Sequence, residues 1–290
     1  MKAILKRGLL LILALCSYAG IAQNSILWEV SGNDITNTVY LMGTLKFIGE
    51  NEYVLPKVVE EKLKASAIFA IEDQVDHHAQ HELNKAVHLP KGESLATVLS
   101  KEEYAKVQDF FNSEFGISKK VFKKKFSRLI PLALSITMTR LSLNEGLKFY
   151  DIELLKLAND YQLETYSLES IEREAEALHA FPMKDQVVAL LHSIDNFEKQ
   201  KSEYIKLEAA YTQGDIDKVF EYTLHPFESN QVFVNKFYYE RNEEWLPKIE
   251  KMMTEQDAFV AVGVSHLEGD RGLLTLLREK GYTLNPISIK

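Results

Sequence analysis

The stretch Ala258–Lys290 reads AFVAVGVSHLEGDRGLLTLLREKGYTLNPISIK. Its opening run, Ala258–Val262, is short, apolar and rich in Val and Phe, which predicts a buried strand. The run ends at Gly263-Val264-Ser265-His266. A glycine there lets the backbone turn sharply, and the loop after it presents a histidine. Asp270 is a suitable N-cap. Leu273, Leu274, Leu276 and Leu277 then recur at helical spacing, Gly281 ends the helix, and Tyr282–Leu284 resumes as strand. In open α/β sheets reactive groups gather beyond the carboxyl ends of strands, so this unit predicts a site at His266.

Working outward, a second copy lies near the other end. The run Thr38–Met42 (TVYLM) leads into Gly43-Thr44-Leu45-Lys46. A helix is expected from about Pro56 to Ala65, with proline in its first turn, and then a strand Ala67–Ile71 ending at Glu72-Asp73. The copies differ at the fourth loop residue, which is Lys46 in one and His266 in the other. Ile26–Val30 and Thr36–Met42 flank Ser31-Gly32-Asn33-Asp34, a hairpin signal. The expected fold is therefore α/β (α+β). Its central mixed sheet is built from the N- and C-terminal segments, two related strand-loop-helix-strand units with their loops facing one crevice.

Between these units the chain reads almost wholly helical, an insertion over about 94–237. Ser100-Lys101-Glu102-Glu103 is a capping box, and Gly116 breaks the helix it opens. Pro131–Leu143 is apolar enough to be buried, while Lys123-Lys124-Lys125 reads as a solvated face. Glu164–Leu168 is a candidate further strand, and Ser170 a cap for a helix with Glu172 and Glu174 in its first turn. Met183–Thr212 reads as one long helical stretch, and Asn230–Tyr239 and Asn242–Thr254 as the last helices before the C-terminal unit, with Arg241 between them. No Pro/Gly/Ser-rich linker interrupts 23–290, which reads as a single domain.

Residues 1–22 read as a secretory signal peptide. Lys2, Lys6 and Arg7 precede the apolar run Gly8–Leu15, and Gly20-Ile21-Ala22 suits cleavage before Gln23. This predicts export to the periplasm or the extracellular space. The only cysteine, Cys16, lies in this segment, and the large Leu15 before it disfavours lipidation. Cleavage after Ala22 would leave 268 residues without cysteine, and so without disulfides, thiolate nucleophiles or Cys-ligated metal. It would also remove three cations, taking the net charge from −8 to −11. That charge argues against nucleic acid or an anionic membrane as partner, and no other run is long and apolar enough to cross a bilayer.

Several residues invite a chemical reading. His266 follows a buried strand in a glycine-led loop, and Glu72 ends a strand where its carboxylate would enter the same crevice. Arg241 and Asn242 offer a cation and an amide. His77, His78, His81 and His88 fall within twelve residues, and His77 and His81 would sit four apart on a helix, a ligand spacing. No recognised acidic motif completes that set, so a solvated His-rich segment is the plainer reading.

Together these features resemble the TraB/GumN (TraB/PrgY/GumN) family, related to the Tiki metalloproteases, over nearly the whole of 23–290. The matching residues are Leu27-Trp28-Glu29-Val30, Tyr40-Leu41-Met42-Gly43-Thr44, Leu55-Pro56 and the strand ending at Glu72. They continue with Gly146-Leu147, Leu168-Glu169, Gly214-Asp215, Glu240-Arg241-Asn242 and Val262-Gly263-Val264-Ser265-His266-Leu267, then Gly272-Leu273-Leu274 and Gly281-Tyr282. The resemblance implies two Gly-x-x-His motifs, with motif glycines Gly43 and Gly263, and a glutamate converging on one divalent metal (Zn, Mn or Co). It implies peptidase-like hydrolysis of a peptide or another envelope-associated substrate or partner. Carried over by residue, His266 and Glu72 become metal ligands and Arg241 the basic residue; the first motif ends in Lys46 instead of histidine.

That departure bears on the chemistry. A neutral imidazole offers a lone pair, whereas an ammonium has none. Deprotonating Lys46 at pH 7 would cost about 4–5 kcal/mol, and its charge repels a divalent cation. A Lys46–Glu72 ion pair is the expected alternative, with His77 or His78 as possible substitute ligands. Three readings follow. The chain is a metal-dependent hydrolase using His266, Glu72 and Arg241; a metal-free member that binds a peptide, glycan or partner protein; or a metal-free enzyme in which Lys46 is a catalytic acid or clamp.

Overall fold

The computed structural model describes residues 25–73, 76–143, 146–223 and 231–290, so the signal-peptide expectation for 1–22 lies outside the described residues. The strands are β1 (Leu27–Ser31), β2 (Val39–Thr44), β3 (Ile48–Gly49), β4 (Ile68–Ile71), β5 (Leu147–Lys148), β6 (Glu164–Ser167), β7 (Ala258–Gly263) and β8 (Thr283–Pro286). Six of them form one sheet in the order β6-β4-β7-β2-β1-β8, and β3 pairs with β5 in a small second ladder. β2, β7, β4 and β6 are mutually parallel, while β1 runs antiparallel to both β2 and β8. The sheet is thus mixed α/β and joins the two ends of the chain, as the duplicated units predicted.

The two units interlock. β2 leads through the helix Lys57–Ala65 to β4, with β7 between them in the sheet; β7 leads through the helix Leu273–Glu279 to β8, with β2 and β1 between. The two crossovers run in opposite directions, so right-handed connection places their helices on opposite faces. In accord with this, Lys57–Ala65 packs with Tyr150–Asp160, and Leu273–Glu279 with Glu240–Glu255. Every residue of β2 and β4 is buried, as strands covered on both faces require. The core of the sheet includes Leu41, Phe69, Phe259 and Trp245.

The insertion is not wholly helical. β6 joins the sheet as its edge strand beside β4, and Tyr150, Leu154 and Ala158 belong to the sheet's own core. A second apolar cluster, with Phe111, Phe122, Phe181 and Phe197, forms the helical layer. Local expectations shift at several points. The stretch 183–212 divides at Asn196 into Met183–Asp195 and Phe197–Thr212. The last helix of the C-terminal unit begins at Leu273 with Gly272 as its N-cap, not at Asp270. Arg241 and Asn242 do not lie between two helices but in the first turn of Glu240–Glu255, which continues directly from a π-helical turn at Asn235–Tyr239.

Candidate functional site

Four parallel strands end at one edge of the sheet, and each delivers a charged or polar side chain there. β2 leads to Lys46, β7 to His266, β4 to Glu72 and Asp73, and β6 to Glu169. Register brings the two glycine-led loops together, since Gly43 pairs with Val262 and Thr44 with Gly263. Turn geometry does not explain the motif glycines, because Gly263 has φ −52° and ψ 133°, which any residue adopts. Space explains them. A Cβ on Gly43 would stand 2.8 Å from Leu267 Cδ1 and 2.9 Å from Val264 Cγ2, and one on Gly263 would stand 3.1 Å from Glu72 Oε1.

Arg241 is the hub. Its side chain is 1 % exposed, and all five of its N–H groups have acceptors. Nε donates to Glu169 Oε1 at 2.9 Å, and Nη2 to Glu169 Oε1 at 2.5 Å and Glu72 Oε2 at 3.0 Å. Nη1 donates to the Phe237 carbonyl at 2.9 Å and meets His266 Nε2 at 3.2 Å. The guanidinium also lies 4.8 Å from the Trp245 ring centroid, and Trp245 Nε1 donates to Glu169 Oε2 at 3.1 Å. Arg241, Trp245 and Lys248 are spaced along one helix face, and Lys248 donates to the Leu168 carbonyl at the end of β6.

His266 is 2 % exposed, with Nδ1 2.6 Å from Asn242 Oδ1. A proton on Nδ1 donates to that oxygen and leaves Nε2 to accept from Arg241, so this tautomer is assigned from the network. Burial, with the charges of Arg241 and Lys46, pushes the imidazole down to about 3 against the pull of Glu72, and the ring is neutral at physiological pH. Glu72 takes the Gly263 N–H at 2.5 Å as well as Arg241. Burial pushes its carboxyl up, but His266, Arg241, Lys46 and the Gly263 amide outweigh that and hold it at about 2. Since His266 is neutral above pH 3, the two cations and the amide carry this effect near neutrality.

Lys46 does not make the expected pair with Glu72. Its ammonium lies 3.5 Å from Glu174 Oε1, and Glu72 is taken by Arg241 instead. The side chain is 60 % exposed, so its charge sits at the crevice mouth. Glu174, then Glu72, Asp151 and Asp73, raise its pKa, which keeps Lys46 protonated and unsuited to act as a base. Asp151 accepts from Thr44 Oγ1 at 2.7 Å, and burial pushes it up to about 6 against the pull of Lys46. Burial and the nearby Glu174 push Asp73 up to about 8.

These groups do not fit a divalent metal. The Nε2 lone pair of His266 faces a guanidinium, both Glu72 oxygens are engaged, and the first motif supplies an ammonium. Among the described residues the buried side-chain atom left without a hydrogen bond is Glu174 Oε2, on the carboxylate whose other oxygen lies 3.5 Å from the Lys46 ammonium. Among the described residues no three His, Asp or Glu side chains converge as a metal-ligand set. His77, His78 and His81 lie on the helix His77–Ala86, with His78 2.9 Å from Glu172, and none takes the place of the missing histidine.

Of the residues singled out from sequence, Glu72, Arg241 and His266 meet in one network, with Lys46 at its margin. The residues not assigned a role beforehand are Glu169, Trp245, Asp73, Asp151 and Glu174. Glu169 carries a sequence signal, since it follows a strand-like run as Glu72 does. Asp151 and Glu174 come from the first turns of inserted helices, and nothing local marks them.

Fold and site define a mixed α/β protein with paired glycine-led loops at the carboxyl edge of its sheet and a buried arginine–carboxylate–histidine network. The model of the TraB/PrgY/gumN family matches residues 26–286, and the chain belongs to this family. It is similar to a protein described as a Metalloprotease TIKI homolog from Amphimedon queenslandica, 24 % identical over 322 aligned positions. That alignment covers 92 % of this chain and 62 % of the relative, so the chain spans about three fifths of that protein's length. No helix among the described residues is long and apolar enough to cross a membrane.

Proposed function

We propose that this chain is an exported, peptide-binding member of the family whose crevice is organised by an ion network in place of a metal. The observation that carries this reading is the contact of Arg241 Nη1 with His266 Nε2 at 3.2 Å, on the lone pair a metal would need. Lys46 in the first motif supports it from the other side. The ligand class comes from the relative, whose name describes a protease and therefore a peptide substrate. In this reading Arg241 holds Glu72 and Glu169 in place, and the Lys46 ammonium at the crevice mouth offers a donor to a carbonyl or carboxylate of the ligand. The basic start and short apolar run of 1–22 support the export part of this reading, in which mass spectrometry of the secreted protein is expected to find its N-terminus at Gln23.

A second reading, metal-dependent peptidase-like hydrolysis, has one observation in its favour. His266 is neutral and Glu72 ionised near pH 7, the protonation states that ligands require. It needs Arg241 to withdraw from Nε2. An array of capped peptides, probed with the protein in EDTA and then in Zn²⁺, Mn²⁺ or Co²⁺, separates the two. The proposal expects retention in EDTA and intact peptides by mass spectrometry with every metal. Cleavage that requires metal and disappears in His266→Ala would establish the hydrolase instead.

A further inference from the structure

β6 is the edge strand of the sheet. β4 covers one side of it, and among the described residues no strand covers the other. The Glu164 N–H donates to the Ala67 carbonyl at 3.0 Å, and the Leu168 N–H to the Ile71 carbonyl at 2.9 Å. Alternate residues of a parallel strand bond to the same neighbour, so Thr165 and Ser167 turn their N–H and C=O groups outward. A groove of about 630 Å³ runs here, and Thr165, Tyr166 and Ser167 all line it. Successive side chains of a strand point to opposite faces. Three consecutive lining residues therefore mean that the groove follows the strand's open edge.

The groove is acidic. Its charged and titratable lining is Asp73, Asp76, Glu169 and Glu172, with His78 the basic group among them. Arg241 matches Glu169, and Asp73, pushed up to about 8, is largely protonated at neutral pH, which leaves Asp76 and Glu172 against one imidazole, that of His78, 2.9 Å from Glu172. Tyr166 adds a ring that is 42 % exposed. Asp73 and Glu169 line the groove and also border the Arg241 network, so the groove leads into the crevice.

We infer that an extended, lysine- or arginine-rich segment of a partner polypeptide adds to β6 as a seventh strand, its backbone bonding to Thr165 and Ser167 and its cations meeting Asp76 and Glu172. This names where and how the proposed peptide ligand binds, and it rests on that reading. Backbone pairing supplies the attachment and the acidic rim selects charge. β6 offers four outward backbone groups, so the acids contribute a large share of the selectivity.

The test uses a short fluorescent peptide alternating lysine with valine, capped at both ends, and fluorescence anisotropy with the whole protein. Ser167→Pro removes one outward N–H and leaves the β4 ladder intact, a change that edge strands tolerate. It is expected to weaken binding roughly fivefold to tenfold, as is N-methylation of alternate peptide residues, which needs no change in the protein. Glu172→Gln is expected to weaken binding a few-fold and to flatten its salt dependence. Equal binding of the N-methylated and unmodified peptides would overturn the inference. So would failure of the basic peptide to bind while other array peptides are retained, an outcome that leaves the peptide reading standing. Loss of all peptide binding would remove both.

Discussion

Replacing Arg241 with methionine keeps much of the side-chain volume and removes the charge. The guanidinium is 1 % exposed, and Glu169, its main partner, is 3 % exposed. Removing one member of such a pair leaves a buried carboxylate without its counter-ion, which costs about 3–5 kcal/mol. The Phe237 carbonyl and His266 Nε2 also lose their donor. Set against a total stability of about 5–15 kcal/mol, Arg241→Met leaves the fold marginal. Most of the loss is attributed to the stranded charge on Glu169, so Arg241→Met with Glu169→Gln is expected to recover about 1–3 kcal/mol of it. The same cause gives a pH signature. Burial already raises the Glu169 pKa against the pull of Arg241, and without Arg241 it rises further. The carboxyl then gains a proton more readily as pH falls, so the gap between variant and unmodified protein narrows toward acid pH. Urea unfolding followed by tryptophan fluorescence reads this directly, since Trp245 stacks on Arg241. A loss below about 1 kcal/mol, or a gap independent of pH, would refute the stranded-charge account.

Three further predictions follow from neighbouring groups. Gly43→Ala forces its Cβ within 3.0 Å of the Val264 backbone and is expected to cost about 1–3 kcal/mol in urea unfolding, whereas a cost near zero would mean the loops yield freely. The His266 imidazole is held down at about 3, below its usual value near 6.5; the stability this neutral group provides is present above that usual value and is lost as pH falls from about 6.5 toward 3, so His266→Gln should flatten the acid limb of a Tm–pH profile. Asp73 is pushed up to about 8, so the stability linked to its protonated form is present at low pH and is lost as pH rises from about 4 through 8; Asp73→Asn should gain on the unmodified protein between pH 5 and pH 9, and parallel curves would contradict this.

The sheet and its crevice were legible because they depend on local patterns. Apolar runs at Val39–Thr44 and Ala258–Gly263, each ended by a glycine-led loop, mark strands wherever they occur in a chain. Glu72 and His266 could be found for the same reason, as strand-end residues facing one edge. What local patterns do not carry is which acid a cation chooses. Lys46 pairs with Glu174 and not Glu72 because Arg241, nearly two hundred residues further on, has taken Glu72. The motif glycines were legible as positions but not in their cause, which is the approach of Leu267 and Val264 to Gly43. Sequence spacing sets Arg241 between helices because the π-helical turn Asn235–Tyr239 disturbs the apolar spacing just before it. The edge strand β6 was half visible, since its exposed residues lack the alternation of a half-buried strand.

The central claim is that Arg241 and Lys46 have taken the place of a metal at His266 and Glu72. Metal content of the purified protein after incubation with Zn²⁺, Mn²⁺ and Co²⁺, beside His266→Ala, tests it most directly. The account predicts no stoichiometric metal in the unmodified protein and no difference between the two. One metal ion per chain, lost in His266→Ala, would contradict it.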